Sequence, residues 1–201
     1  MQLLLECIRL AAEAGVDAIQ LREKDLSARE MTDLGSRAME IVNTVNASRK
    51  RETRTCLLIN SRVDVAVACE CDGVHLRSDD ISVADARAVL IQAGIKQLLV
   101  GVSCHSVSEV EQAYGHGADF VVLGPVFEKS GTEKPIGLAP ISKAVNSLGP
   151  RTALPLIALG GVTLDNAAAC MKAGAAGVAG IRLFQSGNVS ETVLRLRSLT
   201  P

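Results

Sequence analysis

One local pattern recurs along the chain and restricts it to few folds. Ala14-Gly15-Val16-Asp17, Ala93-Gly94-Ile95-Lys96, His116-Gly117-Ala118-Asp119 and Ala173-Gly174-Ala175-Ala176 each close a helical pattern, and an apolar run follows within two or three residues. Glycine just past a helix end takes the left-handed conformation at little steric cost, and a short loop then delivers the chain into a strand. Asp72-Gly73 ahead of Val74-His75-Leu76 is a shorter version of the same device. The pattern predicts strands at 18–23, 55–60, 73–76, 97–102, 120–124, 155–160 and 177–181. Between and around them it predicts helices at 2–14, 27–50, 62–70, 82–93, 106–116, 138–148, 164–173 and 189–199.

Apolar strands alternating with helices argue for a parallel sheet covered by helices. Seven strands, with a helix before the first and after the last, predict a TIM (β/α)8 barrel lacking its first β-strand, with residues 1–201 as one domain. A doubly wound open sheet is the competing architecture, but no Gly-x-Gly-x-x-Gly turn follows an early strand. A missing opening strand leaves a sheet edge exposed, which keeps homo-oligomerisation open.

Composition agrees with such a core and removes several functions. Hydrophobic residues make up 48% of the chain but aromatics only 2%, with no Trp, one Tyr and three Phe, so the core is aliphatic. A net charge of −1 gives no global attraction for nucleic acid or an anionic membrane, and base-stacking aromatics are lacking. No run of 18 apolar residues and no signal-peptide pattern is present, so a cytoplasmic protein is expected. The six cysteines are scattered; Cys69-Glu70-Cys71 fits neither a zinc knuckle nor a Cys-x-x-Cys pair, and buried reduced thiols are expected.

Polar residues gather at the predicted strand ends, the rim where barrel enzymes carry their chemistry. The first strand runs into Gln20-Leu21-Arg22-Glu23-Lys24, the second into Asn60-Ser61-Arg62 and the third into His75-Leu76-Arg77-Ser78-Asp79-Asp80. Alternation puts Gln20, Arg22 and Lys24 on one side, where two cations ask for an anion, unless the strand stops near Leu21 and the charges are a solvated loop. Ser103-Cys104-His105-Ser106 follows the fourth strand, Gly124-Pro125 the fifth, Gly160-Gly161-Val162-Thr163 the sixth and Gly180-Ile181-Arg182 the last. Ser82, Ser106 and Thr163 also qualify as ordinary helix caps. Gly160-Gly161 and Gly180 suit either a phosphate cradle or tight rim packing, and the segment 128–135 either a lid over an anion or a solvated loop.

As a set, Gln20-Leu21-Arg22-Glu23-Lys24, Leu58-Ile59-Asn60, Asp72-Gly73-Val74-His75-Leu76, Gly101-Val102-Ser103, Gly117-Ala118-Asp119-Phe120-Val121, Gly124-Pro125-Val126-Phe127 and Ala158-Leu159-Gly160-Gly161-Val162 resemble the thiamine phosphate synthase family, whose barrel the thiazole tautomerases share. The resemblance implies a transferase of thiamine biosynthesis that joins an aminopyrimidine methyl diphosphate to a thiazole phosphate and releases diphosphate. It implies that Arg22, Lys24 and Lys134 hold the diphosphate, that Gln20, Asn60 and Ser103 orient the pyrimidine, and that Ser130, Thr132, Gly161, Ile181 and Arg182 hold the thiazole phosphate. It also implies Mg²⁺ between two carboxylates, of which Asp80 is present while Ser61 stands at the other position, so weakened metal binding is expected. The small hydroxyl residue usual after the last strand is Arg182 here, a competent phosphate ligand. A tautomerase, with His75 or His105 as proton shuttle, and a non-catalytic phosphate-binding barrel are the alternatives.

Overall fold

The computed structural model describes residues 1–49, 54–128, 134–149, 153–185 and 187–199. Helix α1 (Gln2–Ala14) ends on Gly15, whose φ of 90° closes it, and β1 (Ala18–Leu21) follows. Helix α2 (Ala28–Ser48) starts with a capping box: the Ser27 hydroxyl accepts from the Glu30 N–H while the Glu30 carboxylate accepts from the Ser27 N–H. The chain continues through β2 (Cys56–Asn60), α3 (Val63–Ala68), β3 (Gly73–Leu76), α4 (Val83–Gln92), β4 (Leu99–Cys104), α5 (Val107–Gly115), β5 (Phe120–Leu123), α6 (Ala139–Leu148), β6 (Leu156–Leu159), α7 (Ala167–Lys172), β7 (Gly177–Ala179), α8 (Ile181–Gln185) and α9 (Val189–Arg197). Ser82, Ser106 and Asn188 cap α4, α5 and α9 through their side chains. No described helix is long and apolar enough to cross a membrane.

The strands form one parallel sheet in chain order, β1 to β7, and no pairing joins β7 back to β1 among the described residues. Register divides the side chains between two faces. Leu21, Leu57, Ile59, Val74, Leu76, Val100, Val121, Leu123, Leu156 and Ala158 face the helices and are buried in two apolar blocks. The opposite face carries Gln20, Leu58, Asn60, Gly73, His75, Gly101, Ser103, Phe120, Val122 and Ile157. The helix ring closes although the sheet does not: α9 packs on α1, and the Arg197 guanidinium donates to the Gly15 carbonyl (3.1 Å) and to the Asp17 carboxylate (2.6 Å).

The predicted strands are all present, the third with the predicted bounds and the others with shifted ends. The first stops at Leu21 rather than 23, because its pairing with β2 ends there and Arg22 onward is exposed. The fourth runs 99–104 rather than 97–102, because pairing with β5 continues to Cys104 and Leu123. This places Ser103 on a strand and not in the loop after it. Helix α7 begins at Ala167 rather than 164; Thr163 does not cap it, and its N–H instead donates to the Asn166 side chain. Helix α8 was not expected, because its short segment has neither a cap nor a full period. Cys69, Cys71, Cys104 and Cys170 are buried free thiols, whereas Cys7 is exposed and Cys56 half-buried, contrary to the expectation for these two.

Candidate active site

The sheet's C-terminal rim collects one connected set of polar groups. Gln20, on the inner face of β1, donates from Nε2 to Asn60 Oδ1 at 2.7 Å, and Asn60 Nδ2 donates to Ser61 Oγ at 2.8 Å. Ser61 holds a φ of 64°, uncommon for a residue with a side chain, and its N–H donates to the His75 carbonyl at 2.9 Å. Side chains thereby tie the mouth of β1 to that of β2, and the backbone ties β2 to β3.

His75 is buried at 7% exposure, one strand further along the sheet. Its Nε2 shares a hydrogen bond with Ser103 Oγ at 3.2 Å, and its ring centroid lies 5.8 Å from that of Phe120. Burial first and the Arg22 cation second push the imidazole down to about 4, with Asp80 opposing them. The ring is therefore neutral at pH 7. His105 is placed otherwise: its Nδ1–H donates to the Gly124 carbonyl at 2.6 Å, bracing the end of β4 against that of β5.

Arg22 and Lys24 lie in the exposed loop just beyond β1, with no carboxylate partner among the described residues. Asp80 accepts the Arg77 N–H on Oδ2 at 2.7 Å, which leaves Oδ1 without a protein donor among the described residues. Asp79, by contrast, is paired with Arg77. Lys134 is exposed beside the 135–138 turn, whose Ile136 and Gly137 N–H groups bond back to Pro125 and Val126. Ser130 and Thr132 lie outside the described residues.

Gly160 and Gly161 take φ values of 97° and 64°; a Cβ on Gly160 would come within 2.5 Å of Pro125, and one on Gly161 within 2.7 Å of the Glu128 carbonyl. Tight rim packing is thus realised here: the Val126 and Phe127 N–H groups bond to the Leu159 and Gly160 carbonyls. Ile181 and Arg182 open α8, directly after β7, and both are exposed. Ser103, which the strand-end reading set just after the fourth strand, stands on the inner face of β4 itself; the alternation Gly101-Val102-Ser103 was the available signal.

A family model described as thiamine monophosphate synthase matches residues 1–184. A thiamine-phosphate synthase of Chloroflexus aurantiacus is 36% identical over 194 residues, covering 96% of this chain and 83% of that protein. One from Moorella thermoacetica is 34% identical over 199 residues, covering 97% and 87%. The solved structure of thiamine phosphate pyrophosphorylase from Pyrococcus furiosus matches with a TM-score of 0.80 at 30% identity, covering 97% of this chain and 88% of that one.

Proposed function

The chain belongs to the thiamine monophosphate synthase family, and we propose that it joins an aminopyrimidine methyl diphosphate to a thiazole phosphate with release of diphosphate. The observation that carries this reading is the hydrogen-bonded pair Gln20–Asn60 running directly into the cations Arg22 and Lys24, which have no carboxylate partner among the described residues. A flat amide-lined surface next to unneutralised positive charge suits a heteroaromatic ring that bears a diphosphate. The bond from methylene carbon to diphosphate oxygen breaks with its electron pair leaving on oxygen. The methylene cation, conjugated with the aminopyrimidine, is then captured by the thiazole nitrogen lone pair.

Arg22, Lys24 and Lys134 bind the diphosphate and stabilise the charge that grows on it as it leaves. Gln20, Asn60 and Ser103 orient the pyrimidine. Ser130, Thr132, the backbone at Gly161 and Ile181, and the Arg182 guanidinium hold the thiazole phosphate. We read the scaffold as a (β/α)8 barrel without an opening strand, supported by the unpaired edges of β1 and β7 and by the exposure of Ala18 and Gln20 on the inner face.

The oxygen donors at the mouths of β2 and β3 suit Mg²⁺, which takes one or two carboxylates together with substrate phosphates. Asp80 Oδ1 and the Ser61 hydroxyl would hold it, with one carboxylate fewer than the family usually offers. When bound, Mg²⁺ supplies charge neutralisation on the diphosphate. The test is incubation with both phosphorylated substrates and Mg²⁺, following thiamine phosphate and diphosphate. Turnover is expected, and Ser61→Asp is expected to lower the Mg²⁺ concentration for half-maximal rate. Absence of turnover in both proteins would overturn the reading; conversion of a thiazole tautomer without metal would replace it with the tautomerase.

A further inference from the structure

We infer that His75 is a positioning residue: it acts on the transfer reaction by holding the Ser103 hydroxyl in one orientation toward the pyrimidine. The inference rests on the proposed function and concerns a residue that contributes through a neighbour.

The placement is specific. Thr55, His75 and Thr192 are the buried polar or charged residues described, and His75 alone of them titrates. Register sets Asn60 beside it on β2, Gly101 beside it on β4 and Phe120 beyond Gly101 on β5. A Cβ at Gly101 would come within 2.0 Å of the Phe120 ring. The missing side chain is therefore what lets Phe120 lie across β4 and brace the imidazole at a ring separation of 5.8 Å. With Phe120 on one side and Asn60 on the other, the imidazole is confined, and Ser103 Oγ is the side-chain partner that meets its Nε2.

An apolar residue would fill the same space without desolvating a ring nitrogen, so packing alone does not explain a histidine here. A lone serine hydroxyl rotates freely. Bonding to a fixed neutral ring removes that freedom. An aminopyrimidine presents N–H donors, so the useful arrangement is the one in which Ser103 O–H donates to Nε2 and its lone pairs face the substrate amino group. That amino group becomes the stronger donor as positive charge spreads from the methylene carbon, so an acceptor held in place gains most in the transition state.

A double-mutant cycle over His75→Leu and Ser103→Ala decides the matter, with kcat and KM measured for each substrate. His75→Leu is expected to lower kcat by about tenfold to a hundredfold, the scale of a misplaced catalytic contact, with KM for thiazole phosphate unchanged. In the Ser103→Ala background the same change is expected to cost less than about twofold, and His75→Gln, which keeps a hydrogen-bonding nitrogen and oxygen, is expected to recover most of the rate. Equal cost in both backgrounds, or wild-type kinetics in a folded His75→Leu protein, would overturn the inference. If His75→Leu does not fold, the cycle is run with His75→Asn, whose shorter side chain has no nitrogen at the Nε2 position. Ring ¹⁵N spectra of the wild type and Ser103→Ala then report whether Ser103 alone perturbs Nε2, and an unmoved Nε2 resonance also overturns it. A wild-type protein without turnover refutes the proposed function, whereas an active protein with an additive cycle refutes only the role of His75.

Discussion

The two faces of the one sheet obey different rules. Toward the helices every strand presents Leu, Ile, Val or Ala, nearly all inaccessible to solvent. On the other face the row from β2 to β5 reads Asn60, His75, Gly101, Phe120, and Ser103 sits above Gly101 on β4. Neighbouring residues of one strand thus do separate work, because consecutive side chains point to opposite faces. Stability is concentrated on the first face. Chemistry is concentrated on the second and on the rim beyond it, where polar groups pair with one another while Arg22 and Lys24 have no carboxylate partner among the described residues.

Substitutions on the two faces should therefore separate activity from stability. Arg22→Ala is expected to lower kcat by about a hundredfold to a thousandfold, as loss of a transition-state charge partner does, with an unchanged urea midpoint. A residue of the buried face behaves oppositely: Ile59→Ala, at 0% exposure, is expected to cost about 2–5 kcal/mol in urea unfolding, with kcat retained in the folded fraction. A large loss of stability in the first, or of kcat in the second, would break the division.

His75 links the two faces through pH. Its pKa is about 6.5 when unfolded and pushed down to about 4 by burial, by Arg22 and against Asp80. Between these values the unfolded chain binds more protons than the folded one, so stability rises with pH. The contribution is complete above about pH 6.5 and is lost as pH falls through about 4, amounting to roughly 3 kcal/mol at 1.4 kcal/mol per unit. Subtracting the urea unfolding profile of His75→Gln from that of the wild type isolates it; parallel profiles from pH 7 to 4 would contradict the burial. The smallest effect belongs to the helix ring. Arg197→Ala removes an exposed pair with Asp17 and should cost no more than about 1 kcal/mol, detectable as a slight fall in thermal midpoint with unchanged kinetics.

Much of this is legible in the amino-acid sequence. Gly15, Gly94, Gly117 and Gly174 all take positive φ at helix ends, as their spacing ahead of apolar runs required. Gln20 was readable as an inner-face residue from alternation and Asn60 as a polar strand end, and they meet at 2.7 Å. The role of Gly101 was not readable. Its meaning depends on Phe120, whose ring crosses the strand between, and nothing in the local composition announces a lateral contact. The same holds for Asp17 and Arg197, at opposite ends of the chain yet 2.6 Å apart.

The amino-acid sequence by itself determined the order of elements, the parallel apolar sheet and the rim on which charge gathers. These follow from period, caps and turn chemistry, which act over a few residues. Tertiary structure decided where β1 stops, that Ser103 stands on a strand, and that His75 is enclosed between Asn60 and Phe120. Those outcomes depend on strand register, and register is settled by the packing of both faces at once.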